Sequence, residues 1–258
     1  MTDVSYAFPV FLAFLAGIST LVGGLISFAV RKVRFCYLCV AFGFSAGAMI
    51  FISFTELLSQ GIKNTTFGYA ILGFFGGAII IYLIDVLIPH TYEEETCRCN
   101  RRERIKRTSI LLVLGVAIHN FPEGIAVTFS SILDVKLGVL IAFAVAMHNI
   151  PEGIAVSMPV YYATRDRKKA LYYAFLSGIV EPIGAVVSLL FLHDFLSPFT
   201  LGIILSAVAG IMIFISFDEL LPYVYKHRED RTQHLAILGL FIGMLVMALT
   251  SIVLTPKI

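Results

Sequence analysis

The chain has 258 residues, of which 59% are hydrophobic and 14% charged, and its mean hydropathy is +0.91. A soluble domain carries about 25% charged residues, so this composition points away from an ordinary water-soluble enzyme or binding module. The net charge of +2 says little about partners, and no nucleic-acid partner is expected.

A helix crosses a bilayer core with about 20 mostly apolar residues. Eight runs of that kind follow in chain order. The first, Phe8–Val30, is too long and too poor in N-terminal basic charge for a cleaved signal peptide. The second, Cys36–Leu58, opens on Cys36-x-x-Cys39 and closes on Glu56. With no second cysteine pair at zinc-finger spacing, that opening reads as structural. The third, Phe67–Ile88, carries Gly73-x-x-x-Gly77 and leads into a charged loop, 89–107, that holds His90, Glu93, Glu94, Glu95, Cys97 and Cys99. The loop reads as solvated, with metal capture by Cys97 and Cys99 as the alternative. The fourth and fifth runs, Thr108–Ser131 and Leu137–Val160, hold two copies of one motif. The sixth, Ala170–Leu192, has Glu181-Pro182 midway, and the seventh, Phe199–Leu221, ends on Asp218 and Glu219. The eighth, His234–Leu254, carries Gly239-x-x-x-Gly243. Glycines at this spacing let helices approach closely, within a chain or at a dimer face. The expected fold is all-α: a polytopic membrane protein of eight transmembrane helices, forming a single domain over 1–258.

Sixteen of the nineteen basic residues fall in the loops after runs one, three, five and seven. The other side keeps Lys63, Lys136 and Lys257, and no Lys or Arg lies inside a run. The positive-inside rule then predicts that both termini are extracytoplasmic, in a cell (inner) membrane. The four cysteines all fall on the predicted cytoplasmic side, where a reducing compartment argues against disulfides.

The chain repeats itself twice. Ala46–Leu58 and Ala209–Leu221 are identical at eleven of thirteen positions, including a shared Ser and Glu, and Ala70-Ile-Leu-Gly73 matches Ala236-Ile-Leu-Gly239. Runs one to three (about 8–88) thus recur as six to eight (about 170–254). An offset of five spans reverses direction through the membrane, so the repeat is inverted, a recurring plan of secondary transporters with the substrate site near the midplane. Between the halves, over about 108–160, His119-Asn-Phe-Pro-Glu-Gly-Ile-Ala-Val127 is answered by His148-Asn-Ile-Pro-Glu-Gly-Ile-Ala-Val156.

His119 and Glu123 are four residues apart and share a helix face, with Asn120 close by; the same holds for His148, Asn149 and Glu152. Pro122 and Pro151 lack an N–H and clash with the carbonyl four residues back, so kinks are expected there. A carboxylate at the bilayer centre costs about 2.5–3.5 kcal/mol, so Glu123, Glu152 and Glu181 together cost roughly 8–10 kcal/mol with no intramembrane Lys or Arg to neutralise them. A divalent cation does neutralise them. Imidazole nitrogen with carboxylate oxygen suits Zn²⁺, and also Fe²⁺, Mn²⁺ or Co²⁺, while the lack of thiolates argues against Cu⁺. Interhelical hydrogen bonding and a proton relay through protonated Glu are the competing readings. Glu56 and the Asp218–Glu219 pair put an acid at each mouth, as candidate pathway sites for cations.

The doubled His-Asn-x-Pro-Glu-Gly motif on consecutive spans resembles the ZIP family of metal-ion transporters, and the size resembles its ZupT-like prokaryotic branch. The resemblance implies a binuclear site. One position would use His119, Glu123, His148 and Glu152. The other would use Asn120, Glu123, Asn149, Glu152 and Glu181, with Glu123 and Glu152 bridging. It also implies uptake of Zn²⁺ into the cytoplasm (Fe²⁺, Mn²⁺, Co²⁺ and Cd²⁺ being possible cargo), a homodimer in the lipid bilayer, and no prosthetic group. It suggests that spans one, four, five and six move against two, three, seven and eight. A metal-lined channel uses the same ligands. An intramembrane zinc protease needs His-Glu-x-x-His, which no span has, and an ATP-driven pump needs a nucleotide motif that is missing. The chain is therefore expected not to be an enzyme.

Overall fold

Residues 6–28, 35–87, 101–195, 197–222 and 230–254 are described by a computed structural model of the chain. Among them there is helix and no strand. Helix α1 spans Ala7–Ser27. Helix α2 begins as Phe35–Ile52, widens into a π turn over Ser53–Leu57 and finishes as Leu58–Asn64. Helices α3, α4 and α5 span Phe67–Leu87, Arg101–Leu133 and Val135–Thr164. Helix α6, Arg167–Val187, runs into a π turn at Ser188–Leu192. Helix α7, Pro198–Ile215, ends in a π turn at Ser216–Leu220, and α8 spans Asp230–Leu254.

Seven of these helices (α1, α2, α3 and α5 to α8) are long and apolar enough to cross a membrane. The eighth, α4, takes in Arg101–Arg107, which the sequence pattern assigns to the loop. Arg and Lys are good helix formers, so the helix continues past its apolar part. Cys97 and Cys99, with the rest of that loop, lie outside the described residues.

Two connections are cut short by caps. Asp134 alone separates α4 from α5, and its carboxylate accepts from the N–H groups of Lys136 (2.8 Å) and Leu137 (3.2 Å). Arg165, in the left-handed region at φ 59°, ends α5, and Asp166 caps α6 in the same way through Lys168 and Lys169. Turns this tight make α4, α5 and α6 consecutive antiparallel neighbours.

The inverted repeat is visible in which helices touch. Helix α2 packs on α8 and α3 on α7; α1 packs on α5 and α6 on α4. Exchanging the two halves maps each pairing onto its counterpart. The glycines repeat the pattern at residue level. A methyl at Gly47 would run into the carbonyl of Leu240, and one at the matching Gly210 into that of Phe74. Gly77 faces the Ala207 carbonyl as Gly243 faces that of Phe44. Gly73-x-x-x-Gly77 and Gly239-x-x-x-Gly243 thus serve close packing within the chain, and their glycine faces are not open to a second copy. The outward faces of α3 and α8 are apolar, with Leu72 and Ile252 each 70% exposed, which suits lipid rather than water.

Helices α4 and α5 run on as helix through Pro122 and Pro151, and α6 through Pro182. A proline removes one hydrogen bond, but inside a bundle neighbouring helices support the ring and the helix continues. Three π turns stand elsewhere in the bundle.

Candidate functional site

The seven side chains singled out on α4, α5 and α6 are all buried: His119, Asn120, Glu123, His148, Asn149, Glu152 and Glu181 are each no more than 1% exposed. Helices α4 and α5 cross antiparallel through the middle of the bundle, and the two motif copies meet there in crossed pairs. His119 Nε2 faces both carboxylate oxygens of Glu152 at 3.2 Å. His148 Nε2 faces Glu123 Oε1, also at 3.2 Å. Each pairing runs between helices, although His and Glu of one copy share a helix face.

The far ring nitrogens are also held. His119 Nδ1 lies 3.2 Å from the Gly115 carbonyl, and His148 Nδ1 lies 3.1 Å from that of Ala144. A proton on Nδ1 then donates to backbone and leaves Nε2 turned into the site, the arrangement of a metal-ligating histidine.

The asparagines tie the site to its flanking helices. Asn120 Nδ2 donates to the Ser177 carbonyl of α6 at 2.9 Å. Asn149 Nδ2 donates to the Ala16 carbonyl of α1 (3.0 Å) and to Glu181 Oε2 (2.9 Å). Both amide oxygens point elsewhere. Asn120 Oδ1, Asn149 Oδ1, Glu123 Oε2 and Glu181 Oε1 are buried acceptors with no donor. Buried polar atoms are nearly always satisfied, so four such oxygens on these side chains mark an arrangement that needs a donor or a cation. Among the described residues no three His, Cys, Asp or Glu side chains close around one ion position. The side chains stand as hydrogen-bonded pairs.

The acids at the helix ends are also brought in. Glu56, Asp218 and Glu219 are half-buried and sit inside the repeat-related π turns of α2 and α7. Glu56 lines a cleft whose walls include Glu123, Ala144 and His148. The Glu219 carboxylate lies against Gly115, where an added methyl would have its oxygens and Cδ within 2.8 Å, and its Oε2 is buried without a partner. Gly115 and Ala144 hold matching places, four residues before His119 and His148. A glycine therefore seats the acid of α7 where an alanine stands beside the cleft of Glu56. Gly115 is absent from the sequence reading; the mismatch with Ala144 four residues before each His was its only trace. Asp218 stands next to Glu219 in the same turn. Cys36 and Cys39 are thiols rather than a disulfide.

The family model described as ZIP Zinc transporter matches residues 90–251. A protein named Zinc transporter ZupT from Chlorobium phaeovibrioides is 46% identical, over 94% of this chain and 96% of that one. Proteins of the same name from Nitratidesulfovibrio vulgaris and Clostridium perfringens are 45% and 43% identical, over 93% and 97% of this chain and 94% and 96% of their own lengths.

Proposed function

The chain belongs to the ZIP family, and from that premise we propose that it carries divalent transition-metal ions, Zn²⁺ first, across a membrane into the cytoplasm through a two-ion site on α4, α5 and α6. The family is one of transporters, which sets the metalloenzyme reading aside. Relatives at 43–46% identity bear the name zinc transporter, which supports Zn²⁺ as cargo. The mixed nitrogen and oxygen donors also suit Fe²⁺, Mn²⁺, Co²⁺ and Cd²⁺.

The observation that carries the site is the group of buried, donorless oxygens on Asn120, Glu123, Asn149 and Glu181 beside two imidazoles that face carboxylates. A cation satisfies these atoms together, whereas plain hydrogen-bonding glue leaves them unsatisfied. Arriving cargo exchanges the crossed His–Glu contacts for ligand bonds at Nε2, while Nδ1 stays on the Gly115 and Ala144 carbonyls. Glu123 and Glu152 bridge the positions of His119 and His148 and of Asn120, Asn149 and Glu181. Glu56 receives cargo from the extracytoplasmic side through its cleft, and Glu219, with Asp218, passes it to the cytoplasm. Both termini are extracytoplasmic in the inner membrane. A homodimer has to use surfaces other than the glycine faces of α3 and α8.

Alternating access moves α1, α4, α5 and α6 as one body against α2, α3, α7 and α8. The close glycine-to-carbonyl approaches support this grouping. Gly17 with Gly178, Gly23 with Ile150, Gly124 with Glu181, and Gly184 with Phe121 fall in the first set. Those between α2 and α8 and between α3 and α7 fall in the second. Across the divide, Gly115 meets a side chain, the Glu219 carboxylate, which can swing away.

The test is ⁶⁵Zn²⁺ uptake into liposomes by the wild type and by Glu123→Ala. Saturable uptake abolished by the substitution is the expected result. Metal binding without flux would overturn the transport reading, non-saturating flux would favour a channel, and equal flux in both proteins would overturn the site.

A further inference from the structure

The pseudo-two-fold that exchanges α4 with α5 also exchanges α1 with α6. The register is fixed by close approaches. Gly17 meets the carbonyl of Gly178, and Gly178 meets that of Gly17. Gly23 meets the Ile150 carbonyl as Gly184 meets that of Phe121, and Gly153 meets the Thr20 carbonyl as Gly124 meets that of Glu181. Thr20 of α1 is therefore the counterpart of Glu181, although the residues share no chemistry that an alignment would reward.

Thr20 is fully buried and its Oγ1 has no hydrogen-bond partner. A buried threonine in a helix usually donates to the carbonyl one turn back. Here that carbonyl belongs to Ala16, and it already accepts from Ser19 Oγ (2.5 Å) and Asn149 Nδ2 (3.0 Å). The carbonyl one turn back is therefore already occupied. On the other side of the axis, Asn149 donates to the Glu181 carboxylate. The symmetry maps that pair onto Asn120 and Thr20; there Asn120 Nδ2 donates to the Ser177 carbonyl, the counterpart of that of Ala16, and Asn120 Oδ1 and Thr20 Oγ1 are both orphaned. The four side chains are thus two symmetry-related pairs: one holds a carboxylate and is joined by a hydrogen bond, the other is neutral and is not, and each leaves oxygens without a donor.

We infer that Thr20 is a further residue of the cation site: its hydroxyl oxygen, with Asn120 Oδ1, supplies the neutral half of the position whose charged half is Asn149 and Glu181. This rests on the metal-site reading above. A hydroxyl there gives a hard oxygen donor without a third formal charge, so the ion is held less tightly on the α1 side than on the α6 side, and Thr20 sets both affinity and preference among divalent metals.

The experiment compares Thr20→Val, Thr20→Ser and Thr20→Cys in reconstituted liposomes, with the four native cysteines replaced by serine, reading KM for Zn²⁺ and for Cd²⁺. Thr20→Val is expected to raise KM for Zn²⁺ about five- to tenfold, the scale of one neutral polar contact, and Thr20→Ser to recover most of it. Thr20→Cys adds a soft ligand and is expected to shift the Cd²⁺/Zn²⁺ ratio of Vmax/KM toward Cd²⁺ by about tenfold or more, with Cd²⁺ protecting the introduced thiol from iodoacetamide. A packing role moves none of the metal-dependent readouts. Unchanged selectivity and an unprotected thiol in Thr20→Cys would overturn the proposal, even where Thr20→Val fails to fold. Glu123→Ala and Glu181→Gln run alongside. If they too keep wild-type KM and Vmax, the site reading has failed; if they lose transport while the Thr20 variants keep KM and selectivity, only the role of Thr20 has failed.

Discussion

Gly124, the glycine of the first motif copy, tests whether the motif's glycines work by close helix approach. A Cβ at this position would run into the Glu181 carbonyl, with the Glu181 carbonyl carbon at 2.8 Å and the Ala185 nitrogen at 3.1 Å. All three atoms are backbone, so no rotamer relieves the overlap, and α6 itself has to move away. Forcing a methyl into a packed interior costs about 1–3 kcal/mol, while Gly→Ala in a helix recovers about 1 kcal/mol of propensity. The second term cancels in comparison with Gly76→Ala, because a methyl at Gly76 meets nothing within 4 Å. Gly124→Ala should therefore melt below Gly76→Ala by the full packing term. At about 2–4 °C per kcal/mol for a chain of this size, that is roughly 2–12 °C in detergent micelles followed by circular dichroism. The same shift draws Glu181 Oε2 out of its 2.9 Å contact with Asn149 Nδ2, so zinc uptake should fall in Gly124→Ala and persist in Gly76→Ala. Equal melting temperatures and equal uptake in the two variants would refute the close-approach argument.

Three further outcomes are expected. In metal-free protein, His119→Ala and Glu152→Ala should couple by about 1.5–3 kcal/mol in a double-mutant stability cycle, the range for a hydrogen bond to a charged group; additive effects would mean that the crossed pair is not a real contact. Gly115→Ala drives the Glu219 carboxylate from its seat, so Gly115→Ala combined with Glu219→Ala should lose no more uptake than the worse single variant, and multiplied losses would separate the two residues. Glu56→Gln should raise KM for external Zn²⁺ several-fold at nearly constant Vmax; an unchanged KM would remove Glu56 from the uptake mouth.

The eight spans were legible because each is a run of apolar residues bounded by charge, and the inverted repeat because Ala46–Leu58 and Ala209–Leu221 are nearly the same text. The gathering of His, Asn and Glu was legible from spacing: residues four apart share a helix face. That each His faces the Glu of the opposite copy was not, since intrahelical spacing carries no information about how two helices cross. The π turns at Glu56 and Glu219 leave no period of their own in the sequence, and helix runs on through Pro122 and Pro151. Thr20 was invisible because the likeness of α1 to α6 lies in small residues, Gly17 with Gly178 and Gly23 with Gly184, whose role emerges only as backbone meets backbone.

The exchange of halves has a consequence for vectoriality. A frame that maps onto itself when turned upside down has no inside or outside of its own; its helix pairings are the same viewed from either leaflet. Any preference for a direction must then reside in positions that break the equivalence, among them Thr20 against Glu181, Gly115 against Ala144, and Thr55 against Asp218. Whatever sidedness the protein has is carried by substituted side chains laid over an architecture that is indifferent to it.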